Sequence, residues 1–273
     1  MTDARPTADF AAITDRQQAT WSLGDFNALG IQNMPVAEAL VAAVDPRPGQ
    51  RVLDLACGSG NAALVAARRH CEVTGLDFVP ALLERARQRA TADGVTVQLV
   101  EADAQALPFA DASFDVALSI FGIMFAPNQQ RAADEMVRVV RPGGRIALAS
   151  WVPDGRVAEF FRTVSEYAPP PPGVPPAMRW GTEEGLKELL GDRTTALSVK
   201  REVLTQYFRS AEHMVDSFAK FFGPVIRAFA ALDEADRTRL RTELVTMFTK
   251  QNVAKDGTLM VQYEYLQTVL ERR

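Results

Sequence analysis

Apolar and polar positions fall into two alternating rhythms through the middle of the chain. Arg51 to Leu55, Cys71 to Leu76, Val95 to Val100, Ser113 to Ile120 and Arg145 to Trp151 are short apolar or alternating runs that read as strands. Between them, Ala62 to Arg69 has helical composition. Pro80 then opens a stretch with Leu82, Leu83, Ala86 and Ala90 on one helical face. Gln129 to Val140 repeats the pattern with Ala132, Met136, Val139 and Val140. Ahead of this unit, Met34 to Val44 carries Val36, Leu40, Val41 and Val44 at helical spacing, and Asp45-Pro46-Arg47-Pro48-Gly49 ends it. Strands alternating with helices over short connections predict an α/β, doubly wound, Rossmann-like fold with right-handed crossovers.

The rhythm loosens on both sides. Ala4 to Thr20 is polar and reads as a helix or a frayed arm, and Trp21-Ser22-Leu23-Gly24-Asp25-Phe26 follows no period. After Trp151 comes the stiff stretch Pro169 to Pro176. A short helix is predicted over Thr182 to Leu190 and a strand over Ala196 to Phe208. Ala211 to Phe222 is predicted helical, with Met214, Val215, Phe218, Phe221 and Phe222 in one stripe. Asp233 to Lys250 is a further helix, and Gly257 to Leu270 a closing strand.

Composition narrows the functional classes. A charge of −4 with acids and bases interspersed offers no basic footprint for nucleic acid. No run approaches the ~18 apolar residues of a membrane span. Two cysteines, Cys57 and Cys71, make neither a zinc pattern nor a disulfide framework, so a cytoplasmic setting is expected. Met1 to Phe10 has no apolar core and no cleavage signal.

The candidate chemistry gathers at the first strand. Val52-Leu53-Asp54-Leu55-Ala56-Cys57-Gly58-Ser59-Gly60-Asn61 runs from strand through a glycine turn into a helix. Such a turn lets a ligand approach bare backbone N–H groups at the positive end of the helix. A dinucleotide pyrophosphate would suit the glycines but gains nothing from Asp54. A ligand carrying a sulfonium and an ammonium would gain from that carboxylate. Asp77 ends the second strand, about 20 residues past the turn, where a carboxylate accepts hydrogen bonds from ribose hydroxyls. The plain alternative for Asp77 is a helix cap. Phe78, beside it, is placed to pack on an adenine.

The stretch from Asp54 to Gly60 resembles motif I of the class I S-adenosylmethionine (SAM)-dependent methyltransferases. Its Ala56-Cys57-Gly58-Ser59-Gly60 form is similar to the small-molecule branch related to the ubiquinone/menaquinone C-methylases (UbiE-like, methyltransferase type 11). Leu107 to Val116 and Arg141-Pro142-Gly143-Gly144 resemble later motifs of that family, with Val140 in place of its usual leucine. The resemblance is strong over about residues 45 to 152 and weak outside them.

It implies SAM as cofactor, S-adenosylhomocysteine as product, and a cofactor site of Asp54, Ala56, Gly58, Ser59, Gly60, Asp77, Phe78, Asp103, Ala104 and Ser119. In that site Asp103 accepts from the adenine amine, the backbone of Ala104 donates to the ring, and the strand end at Ser119 faces the methyl group. The resemblance also implies a seven-stranded, mostly parallel sheet whose last strand is antiparallel. Residues 1–44 are then an N-terminal arm or lid and 45–152 the SAM-binding core. Residues 153–273 complete the sheet, with a helical substrate cap at about 210–255. Trp21, Phe121, Phe218 and Phe222 are the candidate substrate contacts.

The expected reaction is methyl transfer to a small, partly apolar metabolite of quinone, polyketide or secondary-metabolite type. An NAD-dependent oxidoreductase and a non-catalytic SAM-binding module are the alternatives. His213 is the candidate base, with Tyr167, Tyr207, Tyr263 and Tyr265 behind it. No metal constellation is expected, Asp115 reads as structural, and the oligomeric state and methyl acceptor stay open.

Overall fold

A computed structural model describes residues 9–273, so the start of the arm expected over Ala4 to Thr20 lies outside the described residues. Helix α1 (Phe10–Trp21) begins where the Asp9 carboxylate accepts from the Ala12 N–H. A bend leads to the short α2 (Asn27–Gly30) and then to α3 (Met34–Val44), which buries the four apolar positions read from its spacing. Asp45 closes α3 in the left-handed region, at φ 50°.

The alternating unit follows as β1 (Arg51–Leu55), α4 (Asn61–Ala67), β2 (Glu72–Asp77), α5 (Pro80–Asp93), β3 (Gln98–Glu101), β4 (Phe114–Ile120), α6 (Gln129–Val139) and β5 (Val140–Trp151). Strands β1 and β2 are buried beyond their first residues, as expected of parallel strands covered on both faces. β5 begins at Val140, earlier than the sequence suggests. Val140 pairs with Phe114, the register shifts across Arg141 to Gly144, and regular pairing resumes at Arg145 with Val116. Asp115 has the structural role expected of it. It accepts from the Arg51 N–H at 2.8 Å and from Arg141 Nε at 2.7 Å, tying the starts of β1 and β5 together.

Beyond β5 come α7 (Arg156–Tyr167), α8 (Glu183–Leu190), β6 (Thr194–Phe208), α9 (Ala211–Phe221), α10 (Gly223–Ala231), α11 (Glu234–Gln251) and β7 (Leu259–Arg272). The sheet has seven strands in the order β3-β2-β1-β4-β5-β7-β6. β7 is antiparallel to both β5 and β6, as expected. The sequence reading missed α7 and α10. A glycine and a proline at Gly223-Pro224 split what looked like one helix and its loop into two helices.

The segment between β6 and β7 folds back over the carboxyl ends of the strands. Its α9 packs on α2 and α11, and its α10 packs on α1 and α7. The approach is closest at Gly223, where a Cβ would lie 2.0 Å from the Thr20 carbonyl oxygen. At Gly24 a Cβ would lie 2.9 Å from the carbonyl oxygen of Phe221. The first junction is backbone against backbone, while at the second the Ile226 Cδ1 lies nearer still, 2.7 Å from the same Cβ position. Among the described residues no helix is long and apolar enough to cross a membrane.

Candidate functional site

One cavity runs over the carboxyl ends of β1, β2, β3 and β4 and under α1, α7 and α9. Its first half is built by the glycine turn. β1 leaves the sheet through Ala56, at φ 51°, and Gly58, at φ 55°, and α4 starts after Gly60 at φ 84°. An alanine pays for the left-handed region at Ala56, and such strain persists where the surroundings over-determine it. The surroundings here are Gly122, whose added Cβ would lie 2.5 Å from the Ala56 Cβ, and the neighbouring Phe121, also left-handed at φ 56°.

Two buried acids hold the turn from below. Asp54 is 2% exposed and accepts from the Ala63 N–H at 2.8 Å. Asp77 is 5% exposed and accepts from Gly58 N–H at 2.8 Å and Val79 N–H at 2.9 Å. Burial pushes the Asp54 carboxyl up to about 7, with the Ala63 N–H pulling the other way and the Asp77 charge adding to the rise. Burial likewise pushes Asp77 up to about 6 against the N–H groups of Val79, Gly58 and Phe78. Carboxylates this far above their usual range favour a cationic or hydrogen-bonding guest that restores their charge. Burial also pushes the Cys57 thiol well up, which keeps it protonated.

Arg89 reaches from α5 to the Ser59 carbonyl at 2.7 Å and to Asn61 Oδ1 at 2.8 Å. Asn61 Nδ2 in turn donates to the Gly30 carbonyl at 2.8 Å, tying the turn to α2. After β3, both carboxylate oxygens of Asp103 accept from Gln105 Nε2, at 3.0 and 2.8 Å. The same amide donates to Thr14 of α1 at 3.0 Å, and Gln18 of α1 donates to the Phe78 carbonyl at 2.5 Å. Helix α1 is thereby latched over this half of the cavity.

The second half is aromatic. Trp21 lies 5.6 Å from Phe26, 5.4 Å from Phe125 and 5.6 Å from Phe222, centroid to centroid. Phe160 and Phe161 of α7 and Phe218 of α9 continue this wall. Phe121 stacks flat on Trp151 at 3.5 Å. The polar exceptions are Asn33, Gln206 and Tyr263.

The cavity brings together most of the residues predicted from sequence. Asp54, Ala56, Gly58, Ser59, Asp77, Phe78, Asp103 and Ala104 line one half, and Trp21, Phe121, Phe218 and Phe222 the other. Three predicted residues do not line it. The Ser119 hydroxyl is 1% exposed and spent on the Leu55 carbonyl at 2.8 Å and the Ile123 N–H at 3.1 Å, so it braces the ends of β1 and β4. Gly60 instead lets α4 pack on α5, its would-be Cβ lying 3.2 Å from Ala86 Cβ. The His213 ring lies beside Phe208, with Nδ1 accepting from the Arg209 N–H at 3.4 Å, at the start of α9 and outside the cavity. Of the four tyrosines only Tyr263 lines it. Within the α9 stripe, Met214 and Val215 are core while Phe218 and Phe222 face the cavity. The reading missed Phe160 and Phe161, although Val157, Phe160, Phe161 and Val164 carry a helical period that would have revealed α7.

The residues present fit a SAM molecule. A Cβ added to Gly58 would meet nothing within 4 Å, which leaves room for a ligand against its backbone. Around that space stand Asp54 and Asp77, two carboxyls able to accept from a cationic or hydroxyl-bearing ligand. A family model described as a methyltransferase domain matches residues 53–148, from β1 through β5. An uncharacterized protein of Mycobacterium tuberculosis is 38% identical over 281 residues, covering 100% of both chains. A demethylmenaquinone methyltransferase of Thermus thermophilus is 42% identical over 106 residues, covering 38% of this chain and 48% of that one. Among solved structures, a Bacillus halodurans protein assigned provisionally as a methyltransferase superposes with a TM-score of 0.61 at 19% identity, covering 86% of this chain and 97% of that one. The fold, the glycine turn with its paired acids and these matches lead to one conclusion: the chain belongs to the family of its full-length mycobacterial relative and is a class I SAM-dependent methyltransferase.

Proposed function

We propose that the acid-lined half of the cavity holds SAM and that the aromatic half receives a small, largely apolar acceptor. The observation that carries this reading is the open space above Gly58, flanked by Asp54 and Asp77 and continuous with the aromatic chamber. In this reading Asp77 accepts from the ribose hydroxyls and Phe78 packs on the adenine. Asp103 accepts from the adenine amine once Gln105 yields, while the Ala104 N–H donates to the ring. Asp54, with the backbone of Ala56, Gly58 and Ser59, faces the amino-acid end. Bound SAM supplies a methyl group already activated on a sulfonium. The protein's share is to position the acceptor and exclude water. Trp21, Phe121, Phe218 and Phe222 do this by walling the chamber. Residues 1–44 act as the lid, 45–152 as the cofactor core and about 210–255 as the substrate cap.

Calorimetric titration tests the cofactor half. S-adenosylhomocysteine is expected to bind with one site per chain and NADH to leave no signal. NADH binding with no response to S-adenosylhomocysteine would overturn the assignment. Turnover of SAM with a panel of small aromatic and aliphatic acceptors tests the second half.

A further inference from the structure

The aromatic chamber has one polar end, and its composition restricts what can sit there. The described residues lining the whole cavity include no lysine, arginine or histidine, while three aspartates stand at the cofactor end. A carboxylate or phosphate on the acceptor would find no cationic side chain among the described lining residues.

Gln206 is 9% exposed and Tyr263 is 4% exposed. Gln206 lies on β6 opposite Val261, and Tyr263 on β7 opposite Leu204. The two are therefore diagonal neighbours on the face of the hairpin that closes the cavity. The Gln206 Nε2 donates to Asn33 Oδ1 at 3.1 Å, which draws in the start of α3. This pairing uses one atom of each amide. Among the described residues the Tyr263 hydroxyl has only the Met214 Sδ at 3.9 Å, a weak acceptor. Burial pushes the Tyr263 phenol far up, so it stays a neutral donor. A buried hydroxyl with so weak a partner has hydrogen-bonding capacity left over, and so has the amide pair beside it.

We propose that Asn33, Gln206 and Tyr263 form the anchoring end of the acceptor chamber, and that the acceptor is an uncharged, mainly aromatic or aliphatic molecule presenting one oxygen function, a hydroxyl or a carbonyl, to them. This rests on the assignment of the aromatic half as the acceptor site. The three residues act as positioning groups. They orient the acceptor by its oxygen and leave its reactive atom toward the methyl group.

The test uses three probes of one shape, 2-naphthol, naphthalene and naphthalene-2-carboxylate, with binding read by equilibrium dialysis against the full chain with and without S-adenosylhomocysteine. The expected order is naphthol first, about tenfold tighter than naphthalene, with the carboxylate weaker than naphthol. Gln206→Met and Tyr263→Phe are each expected to shrink the naphthol preference to about twofold, with S-adenosylhomocysteine affinity unchanged. Loss in only one variant still supports the proposal and identifies that residue as the main anchor. Equal binding of naphthol and naphthalene to the unmodified protein overturns it. So does a preference for the carboxylate, retention of the full preference in both variants, or no binding of any probe. The comparison in the unmodified protein stands even if a variant fails to fold. Failure of S-adenosylhomocysteine to bind would strike the cofactor assignment instead, and the probes would still report on the chamber in the free protein.

Discussion

The two halves of the cavity are built by opposite means. The cofactor half comes from consecutive strand ends, with Asp54, Gly58, Asp77 and Asp103 each standing where a parallel strand stops. Its hydrogen bonds run largely to backbone, as from Gly58 N–H and Val79 N–H to Asp77. The acceptor half gathers rings from α1, α7, α9 and the end of β4, with sequence separations of up to 201 residues between Trp21 and Phe222. The first half is thus a local device repeated along the chain. The second exists only once the long β6–β7 hairpin and its three helices have closed over the sheet. Damage to one should leave the other measurable.

The largest effect is expected from breaking the acceptor half. Phe160 is buried among Phe161, Phe218, Phe222 and Phe248. Phe160→Ala should cost about 3–5 kcal/mol of stability through the cavity it leaves. Urea titration checks this, and an unchanged midpoint would show that the rings are not packed as described. In the folded fraction S-adenosylhomocysteine affinity should change little.

A smaller effect of opposite selectivity is expected from Asp77→Ala. Removing a charged acceptor from ribose hydroxyls should weaken S-adenosylhomocysteine binding by about 1–3 kcal/mol, with acceptor-probe binding retained. Asp77 also holds the Gly58 and Val79 N–H groups, so Asp77→Asn is the companion variant that keeps part of that role. Calorimetry on both, with circular dichroism to confirm folding, decides the point. Unchanged affinity in folded Asp77→Ala would remove the ribose role.

The mildest probe is pH. Asp54 near 7 and Asp77 near 6 are both raised from an ordinary 3.8. The folded free protein therefore holds protons that the unfolded chain has released, so these two groups favour folding at low pH. Their penalty grows as pH rises from about 4 through 7. A guest needing both as carboxylates must expel those protons, so S-adenosylhomocysteine affinity should fall below pH 7, by up to about tenfold per unit for each group. Titrations at pH 5.5 and 7.5 should show this fall with proton release, and a flat profile would detach both acids from the cofactor. Acceptor-probe binding should be flat over the same range, which sharpens the contrast.

The same division explains what could be read in advance. Asp54 to Gly60 and Asp77 were legible because each role depends on a short spacing tied to a strand end. The seven-stranded, mostly parallel sheet followed from alternation together with the family resemblance, down to the antiparallel last strand. Ser119 misled because a strand-end position says nothing of the direction of its hydroxyl, which turns back to Leu55. The Asn33–Gln206 pair spans 173 residues and depends on β6 lying at the edge of the sheet, against the start of α3. No local pattern encodes that meeting. Tyr263 stood among four equivalent tyrosines until the hairpin register singled it out.

The contact of Gly223 with the Thr20 carbonyl has a temporal consequence. At Thr20 and Gly223 no side chain separates α1 from α10, and just beyond α1 the chain at Gly24 meets the Ile226 side chain of α10 and the Phe221 carbonyl at the end of α9. Helix α1 stands over the acid-lined half, while α10 follows across the break at Phe222 from α9, whose Phe218 walls the aromatic half. An opening that lifted α1 would therefore also shift the helices over the aromatic chamber. If the acid-lined half holds the cofactor as proposed, its release and the admission of an acceptor are expected to share one motion, which rapid-mixing kinetics with the two ligands would resolve as a single phase.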